Sequence, residues 1–107
     1  MAVIRFEVYL VNLDPTVGNE MRKTRPCVVV SPDEMNRNVN TVLIAPLTTR
    51  GRPYPFRVPC RFRGADGFVV LDQLRSVDRG RLLRRLGTLA PAGSQRLVAL
   101  LARVFEP

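Results

Sequence analysis

The chain has 107 residues, the span of one domain with no room for a second, and its 46% hydrophobic content excludes a disordered tail. A net charge of +8 points to polyanions as partners, nucleic acid first and acidic protein segments second. All but one of the 17 basic residues are arginines, whose planar fork suits phosphate, although arginine in place of lysine also follows genome base composition.

The chain has no histidine, and Cys27 and Cys60 stand alone in apolar stretches. That argues against a zinc site and for two buried thiols in a cytoplasmic protein. No apolar run approaches the roughly 20 residues of a membrane span. The first residues carry Arg5 and Glu7 and read as a strand, not as a leader.

Residues 6–13 are apolar or aromatic except for Glu7 and Asn12, the pattern of a strand buried on both faces. Asp14-Pro15-Thr16 stops it, and the polar stretch 17–24, basic at Arg22 and Lys23, reads as a long functional loop. Cys27-Val28-Val29-Val30 is a second strand closed by Ser31-Pro32, and residues 33–38 suit one helical turn. Residues 40–47 form a third strand and 48–53 a second basic loop. Residues 56–63 then alternate, with Phe56, Val58, Cys60 and Phe62 toward a core and Arg57, Pro59, Arg61 and Arg63 away from it. Pro55 and Pro59 place that strand at an edge or a bend. Gly64-Ala65-Asp66-Gly67 is turn chemistry leading to a fifth strand over 68–77, with Asp72 and Gln73 in its middle. Residues 79–85 suggest a short basic helix and 86–89 a last strand. Pro91 opens a terminal helix whose Leu97, Leu100, Leu101 and Val104 recur at helical spacing. Five or six short strands and one helix predict a small, strongly curved β-barrel, mainly β in the α+β sense.

Four blocks carry a resemblance. The run Val8-Tyr9-Leu10-Val11-Asn12-Leu13-Asp14-Pro15-Thr16-Val17-Gly18-Asn19-Glu20 resembles the opening of MazF/PemK-family toxins. Thr24-Arg25-Pro26 is similar to the family's Arg-Pro motif, Ala45-Pro46-Leu47-Thr48-Thr49 to its Pro-x-Thr-[Thr/Ser] motif, and 67–78 to its late strand with an Asp-Gln pair. The resemblance covers nearly the whole chain with the blocks in order. It implies an SH3-like barrel with a C-terminal helix, homodimeric, acting as a sequence-preferring endoribonuclease toxin. That activity leaves 2′,3′-cyclic phosphate and 5′-hydroxyl ends on single-stranded RNA without a metal or other cofactor. It also implies an acidic cognate antitoxin. Position by position, it puts Arg25 and Thr48 at the catalytic centre, with Glu20 and Asp72 beside them.

The residues themselves fit such chemistry in part. RNA self-cleavage needs a base for the 2′-OH, stabilisation of a dianionic phosphorane and an acid for the leaving oxygen. Without imidazole, Arg25 suits phosphorane stabilisation and proton donation but not a base role, since a guanidinium rarely gives up its proton to become one. Glu20 or Asp72 suits a base if burial raises its pKa, and Thr48 suits a hydroxyl donor. Arg22, Lys23, Arg50 and Arg52 read as a phosphate track, with Thr49, Tyr54 and Gln73 as further substrate contacts. Bland readings stand beside these. In isolation Arg25 is a strand-end surface arginine, Thr48 an ordinary hydroxyl and Glu20 a solvated acid, and Asp72 equally suits a pairing with Arg75 or another arginine. Arg79, Arg81, Arg84 and Arg85 suit a solvated face or an acidic partner. Two other functions compete: a CcdB-like gyrase poison, disfavoured by the lack of Trp, and a non-catalytic RNA-binding barrel, which leaves the motif pair unexplained.

Overall fold

The computed structural model describes residues 2–107, and Met1 lies outside them. Seven antiparallel strands build the described part: β1 (Glu7–Asn12), β2 (Thr24–Val29), β3 (Thr41–Thr48), β4 (Arg57–Phe62), β5 (Ala65–Val70), β6 (Arg75–Asp78) and β7 (Leu82–Thr88). Helix α1 (Asp33–Asn38) follows β2, and α2 (Pro91–Val104) follows β7 with Pro91 in its first turn. Strand order is β4-β5-β3-β2-β1-β7, with β6 also paired to β3. The sheet curls until its outer strands meet through side chains and not through a ladder. Arg63, just past β4, donates to the Leu86 carbonyl of β7 at 2.6 Å, and a Cβ on Gly87 would sit 3.2 Å from the Phe62 ring. The result is the mainly-β fold with a C-terminal helix expected from the sequence.

Successive strand residues point to opposite sides, so β1 and β2 feed two cores. Tyr9, Val11, Cys27, Val29, Ile44 and Val77 make one, and Val8, Val28, Ala45, Leu47, Val69 and Leu97 make the other, closed by α2. Residues 6–13 thus hold the doubly buried strand that their composition predicts. Glu7 is buried at the start of β1 because its carboxylate is spent: it accepts from the Ile4 amide at 2.7 Å and the Tyr9 hydroxyl at 3.2 Å, and it pairs with Arg85 of β7.

Three sequence expectations need correction. The turn after β4 is Arg63-Gly64, both residues at positive φ between the paired Phe62 and Ala65, not the run 64–67. Two residues with φ above zero form the tight hairpin whose twist matches the strands, and Gly supplies the second cheaply. The strand expected over 68–77 is interrupted by a 3-10 turn at Leu71–Gln73. Val69 faces Leu47 and Arg75 faces Ile44, so the register along β3 slips by three residues, the length of that turn. The basic helix expected over 79–85 is a single 3-10 turn at Arg79–Arg81, capped by Asp78 accepting from the Gly80 amide at 2.8 Å, before β7 begins. With Leu82 buried against the first core and its neighbours Leu83 to Arg85 exposed, this stretch lacks the apolar face of a helix.

Candidate active site

β3 changes partners along its length, and that change makes the site. It pairs with β2 from Val29/Ile44 to Cys27/Pro46 and then with β5 at Leu47/Val69 and Thr48/Phe68. The first half of β2 stays with β1, at Pro26/Leu10, Arg25/Val11 and Thr24/Asn12. Continuing the β2–β3 register two residues past Cys27/Pro46 sets Arg25 opposite Thr48, at the place where the strands have parted. The wedge between them is a cleft of about 340 Å³. Arg25, Thr48, Thr49, Arg50 and Arg63 are its charged and hydroxyl lining, over an apolar base that includes Pro26, Leu47, Phe62 and Leu86.

Each key side chain is held. The Arg25 Nε donates to the Arg22 carbonyl at 3.2 Å, which fixes the guanidinium stem and leaves its outer N–H groups for a ligand. The Thr48 Oγ1 accepts from the Arg50 amide at 3.1 Å, so its own proton is free to be donated. Behind Thr48 the backbone of β5 comes so close that a Cβ on Gly67 would lie 2.3 Å from the Thr48 carbonyl oxygen. The cleft lining includes no carboxylate. Burial pushes the Cys60 thiol up, against the pull of Arg96, so it enters the wall as a neutral group. Cys27, beneath Arg25, is pushed up to about 12 by burial, with Arg75 and Arg25 opposing, and stays a thiol. Among the described residues no three Cys, Asp or Glu side chains gather as metal ligands.

The two acids expected beside the cleft lie elsewhere. Glu20, Asp72 and Gln73 line a separate hollow of about 140 Å³ with Met21, Pro46 and Arg75. Glu20 accepts from the Val17 amide at 2.6 Å and folds its own loop. Gln73 accepts from the Met21 amide at 2.7 Å and pins that loop to the 3-10 turn. Asp72 pairs with Arg57 at 3.7 Å, so of the expected partners, Arg75 or another arginine, it is another arginine that holds it. Asp72 also lines a third hollow of about 400 Å³ with Arg52, Pro53, Tyr54 and Arg57. Arg22 and Lys23 are exposed on the loop between β1 and β2. Lys23 adopts a φ of 63°, and its amide donates to the Asp14 carboxylate at 3.0 Å.

Three arginines outside the expected phosphate track, one of them (Arg81) read as solvated surface, are struts for backbone carbonyls. Arg75 donates to Leu13 at 3.1 Å, Arg81 to Asn12 at 3.1 Å, and Arg96 to Pro59 at 3.0 Å. Sequence reasoning passed over Arg57, Arg63 and Gly67 as site residues. The alternation of β4 gave the signal for both arginines, since it set them off the core face, and no local pattern marks Gly67 as a point of close approach.

Comparison with known proteins places this arrangement. A family model described as PemK-like, MazF-like toxin of type II toxin–antitoxin system matches residues 4–105. The chain is similar to the endoribonuclease toxin MazF of Escherichia coli K12, at 38% identity over 90 residues, 83% of this chain and 81% of the relative. Its fold superposes on the crystal structure of MazF from Deinococcus radiodurans with a TM-score of 0.84 and 26% identity, covering 97% and 96% of the two chains. It also superposes on a mycobacterial endoribonuclease solved in complex with its cognate antitoxin, with a TM-score of 0.80, 26% identity and coverage of 95% and 93%.

Proposed function

Since the chain belongs to the PemK-like, MazF-like toxins of type II toxin–antitoxin systems, we propose that it is an endoribonuclease toxin that cuts single-stranded RNA in the cleft between β2 and β3. What carries the reading is the presence of Arg25 and Thr48 in one cationic cleft, from strands that diverge there. The scissile phosphate lies between them. The outer N–H groups of Arg25 hold two oxygens of the phosphorane, and the free hydroxyl proton of Thr48 bonds to an oxygen of the same phosphate. Both donors are fixed before substrate arrives, and such preorganised donors act where charge develops. Arg25 also supplies the proton to the leaving 5′-oxygen. Attack by the adjacent 2′-OH leaves a 2′,3′-cyclic phosphate and a free 5′-hydroxyl, with no metal in the step.

The cleft lining has neither imidazole nor carboxylate. Its leverage is therefore electrostatic, and solvent hydroxide takes the 2′-OH proton. Arg50 and Thr49 continue the phosphate contacts, while Arg22 and Lys23 extend them along the neighbouring loop. Glu20, Asp72 and Gln73 act outside the reacting centre, on flanking nucleotides or on loop position. Cleavage of RNA in the cytoplasm would halt translation and growth until an acidic antitoxin segment covers the cationic cleft. The active species is a homodimer joined through strand edges or α2, whose Val98 and Val104 are exposed.

The test is incubation of purified protein with a defined RNA in EDTA, followed by end mapping. Cyclic-phosphate ends that disappear in Arg25→Ala and Thr48→Ala are the expected result. Intact RNA from the folded wild-type protein overturns the assignment.

A further inference from the structure

The third hollow is not explained by phosphate binding. Arg52 and Tyr54 are exposed on the loop after β3, Arg57 begins β4, and Asp72 projects from the 3-10 turn that interrupts the last ladder on β3. The loop is built around Arg57. Its amide donates to the Tyr54 carbonyl at 2.9 Å, and its guanidinium lies 5.6 Å from the Tyr54 ring centroid. Gly51, at a φ of 103°, passes so near that a Cβ would sit 2.7 Å from an Arg57 terminal nitrogen. The pairing of Arg57 with Asp72 is incomplete as it stands. At 3.7 Å it is too long for a hydrogen bond, and the buried Arg57 Nε has no hydrogen-bond partner. Among the described residues no group hydrogen-bonds to the Asp72 carboxylate, and its side chain is 34% exposed.

An ionised carboxylate only accepts, so Asp72 repels a phosphate and selects for paired N–H donors. Among the four RNA bases, guanine alone offers two adjacent donors on its pairing edge, N1–H and N2–H, with the O6 acceptor beside them. Cytosine and adenine offer one donor group there, and uracil sets an acceptor on each side of its single N–H. Unstacked bases in single strands are commonly read on that edge and stacked on an aromatic ring. The hollow has all three elements: a carboxylate that is ion-paired but accepts no hydrogen bond, flanking guanidinium donors and an exposed ring. Arg50 lines the cleft and Arg52 lines the hollow, at most about 7 Å of chain apart.

Resting on the reading of the cleft as a ribonuclease centre, we propose that Tyr54, Arg52, Arg57 and Asp72 form a guanine-reading subsite beside the scissile phosphate. Asp72 accepts from N1–H and N2–H, an arginine donates to O6, and Tyr54 stacks the ring. Guanine at one position near the cut is then the base this toxin requires.

Two readouts separate this proposal from the one it rests on. The first is end mapping of cleaved random-sequence RNA, where guanine is expected to be enriched at one fixed position from the cut. The second is binding of non-cleavable 2′-O-methyl uridine heptamers carrying one central guanosine, adenosine, cytidine, inosine or 7-deazaguanosine. Guanosine is expected to bind about 5- to 150-fold tighter than adenosine or cytidine. Inosine, which lacks N2–H, falls between them, and 7-deazaguanosine matches guanosine because N7 is not used. Asp72→Asn and Arg57→Met abolish the guanosine advantage, and the exposed Tyr54→Ala weakens all heptamers alike should the arginine variant fail to fold. Cleavage with no guanine enrichment, or an enrichment that survives Asp72→Asn, overturns the subsite and leaves the nuclease reading intact. Guanosine-selective binding without cleavage does the reverse, and failure of both readouts removes both.

Discussion

Gly67 tests whether the approach of β5 sets the position of Thr48. No special dihedral is needed there; the requirement is space. A Cβ at Gly67 would lie 2.3 Å from the Thr48 carbonyl oxygen, 3.1 Å from its carbonyl carbon and 3.4 Å from the Thr49 Cα. Real Cβ atoms essentially never come within 3.0 Å of such neighbours, so Gly67→Ala must part the two backbones by at least about 0.7 Å. All three atoms are main chain and cannot rotate away. Overpacking of this kind costs about 1–3 kcal/mol, which for a domain this small shifts a urea midpoint down by roughly 1 M. The displaced residue is Thr48 itself, and misplacing a catalytic group by about 1 Å costs on the order of 100-fold in rate. The assay is RNA cleavage at a temperature where urea unfolding shows the variant still fully folded, compared with Thr48→Ala. A loss approaching that of Thr48→Ala is expected. Wild-type stability and wild-type cleavage in Gly67→Ala would refute the claim that this close contact positions the hydroxyl.

Other consequences follow from the same geometry. With no imidazole or carboxylate in the cleft, the cleavage rate should rise steadily with pH from about 5.5 to 8.5, as solvent base increases. A rate that levels off or turns over within that window would instead put a protein base in the reacting centre. The Cys27 thiol, at about 12 in the folded chain and near 9 when unfolded, favours the native state fully below pH 9 and loses that contribution as pH rises toward 12. The unfolded thiol ionises first, at about 1.4 kcal/mol per pH unit. Cys27→Ala should flatten this alkaline loss in urea titrations, and an unchanged slope would sink the account. Glu7→Ala strands the Ile4 amide and the Tyr9 hydroxyl and releases Arg85, a cost of about 1–3 kcal/mol once the half-exposed arginine is discounted. Equilibrium unfolding checks this, with cleavage by the folded fraction expected to be unchanged.

The sequence made the strands and the terminal helix legible wherever periodicity and burial agreed. Residues 6–13 are the clearest case, because a strand feeding two cores needs apolar residues at nearly every position and has them. Reading failed where one feature served two structures. The run 68–77 is apolar and β-branched enough for one strand, and no residue in it announces the three-residue slip that creates the 3-10 turn. The stretch 79–85 looked helical through its arginines, yet Arg81 is engaged by a carbonyl on β1, a partner distant in sequence. At the site, Arg25 and Thr48 were legible only through motif blocks, since each alone is an ordinary strand-end residue. Their meeting depends on the register of β2 against β3, which is a tertiary fact. Arg57 and Arg63 read only as positions off the core face, and the hollow and cleft they line are equally tertiary.

The three-residue slip opposite β3 has a functional logic that local propensity does not supply. Had β5 run on unbroken into β6, Asp72 and Gln73 would occupy ladder positions with their backbones committed to β3. The slip releases them, so that Gln73 pins the loop between β1 and β2 while Asp72 turns toward the loop after β3. One interruption in one strand therefore ties both loops to a single rigid element. A cleft whose two donors sit on parting strands has no ladder of its own to hold its width. The turn at Leu71–Gln73 supplies that constraint from behind, as β5 supplies it at Gly67. Loosening the turn should therefore blunt cleavage and base selection together, whereas losing Asp72 alone should blunt selection first.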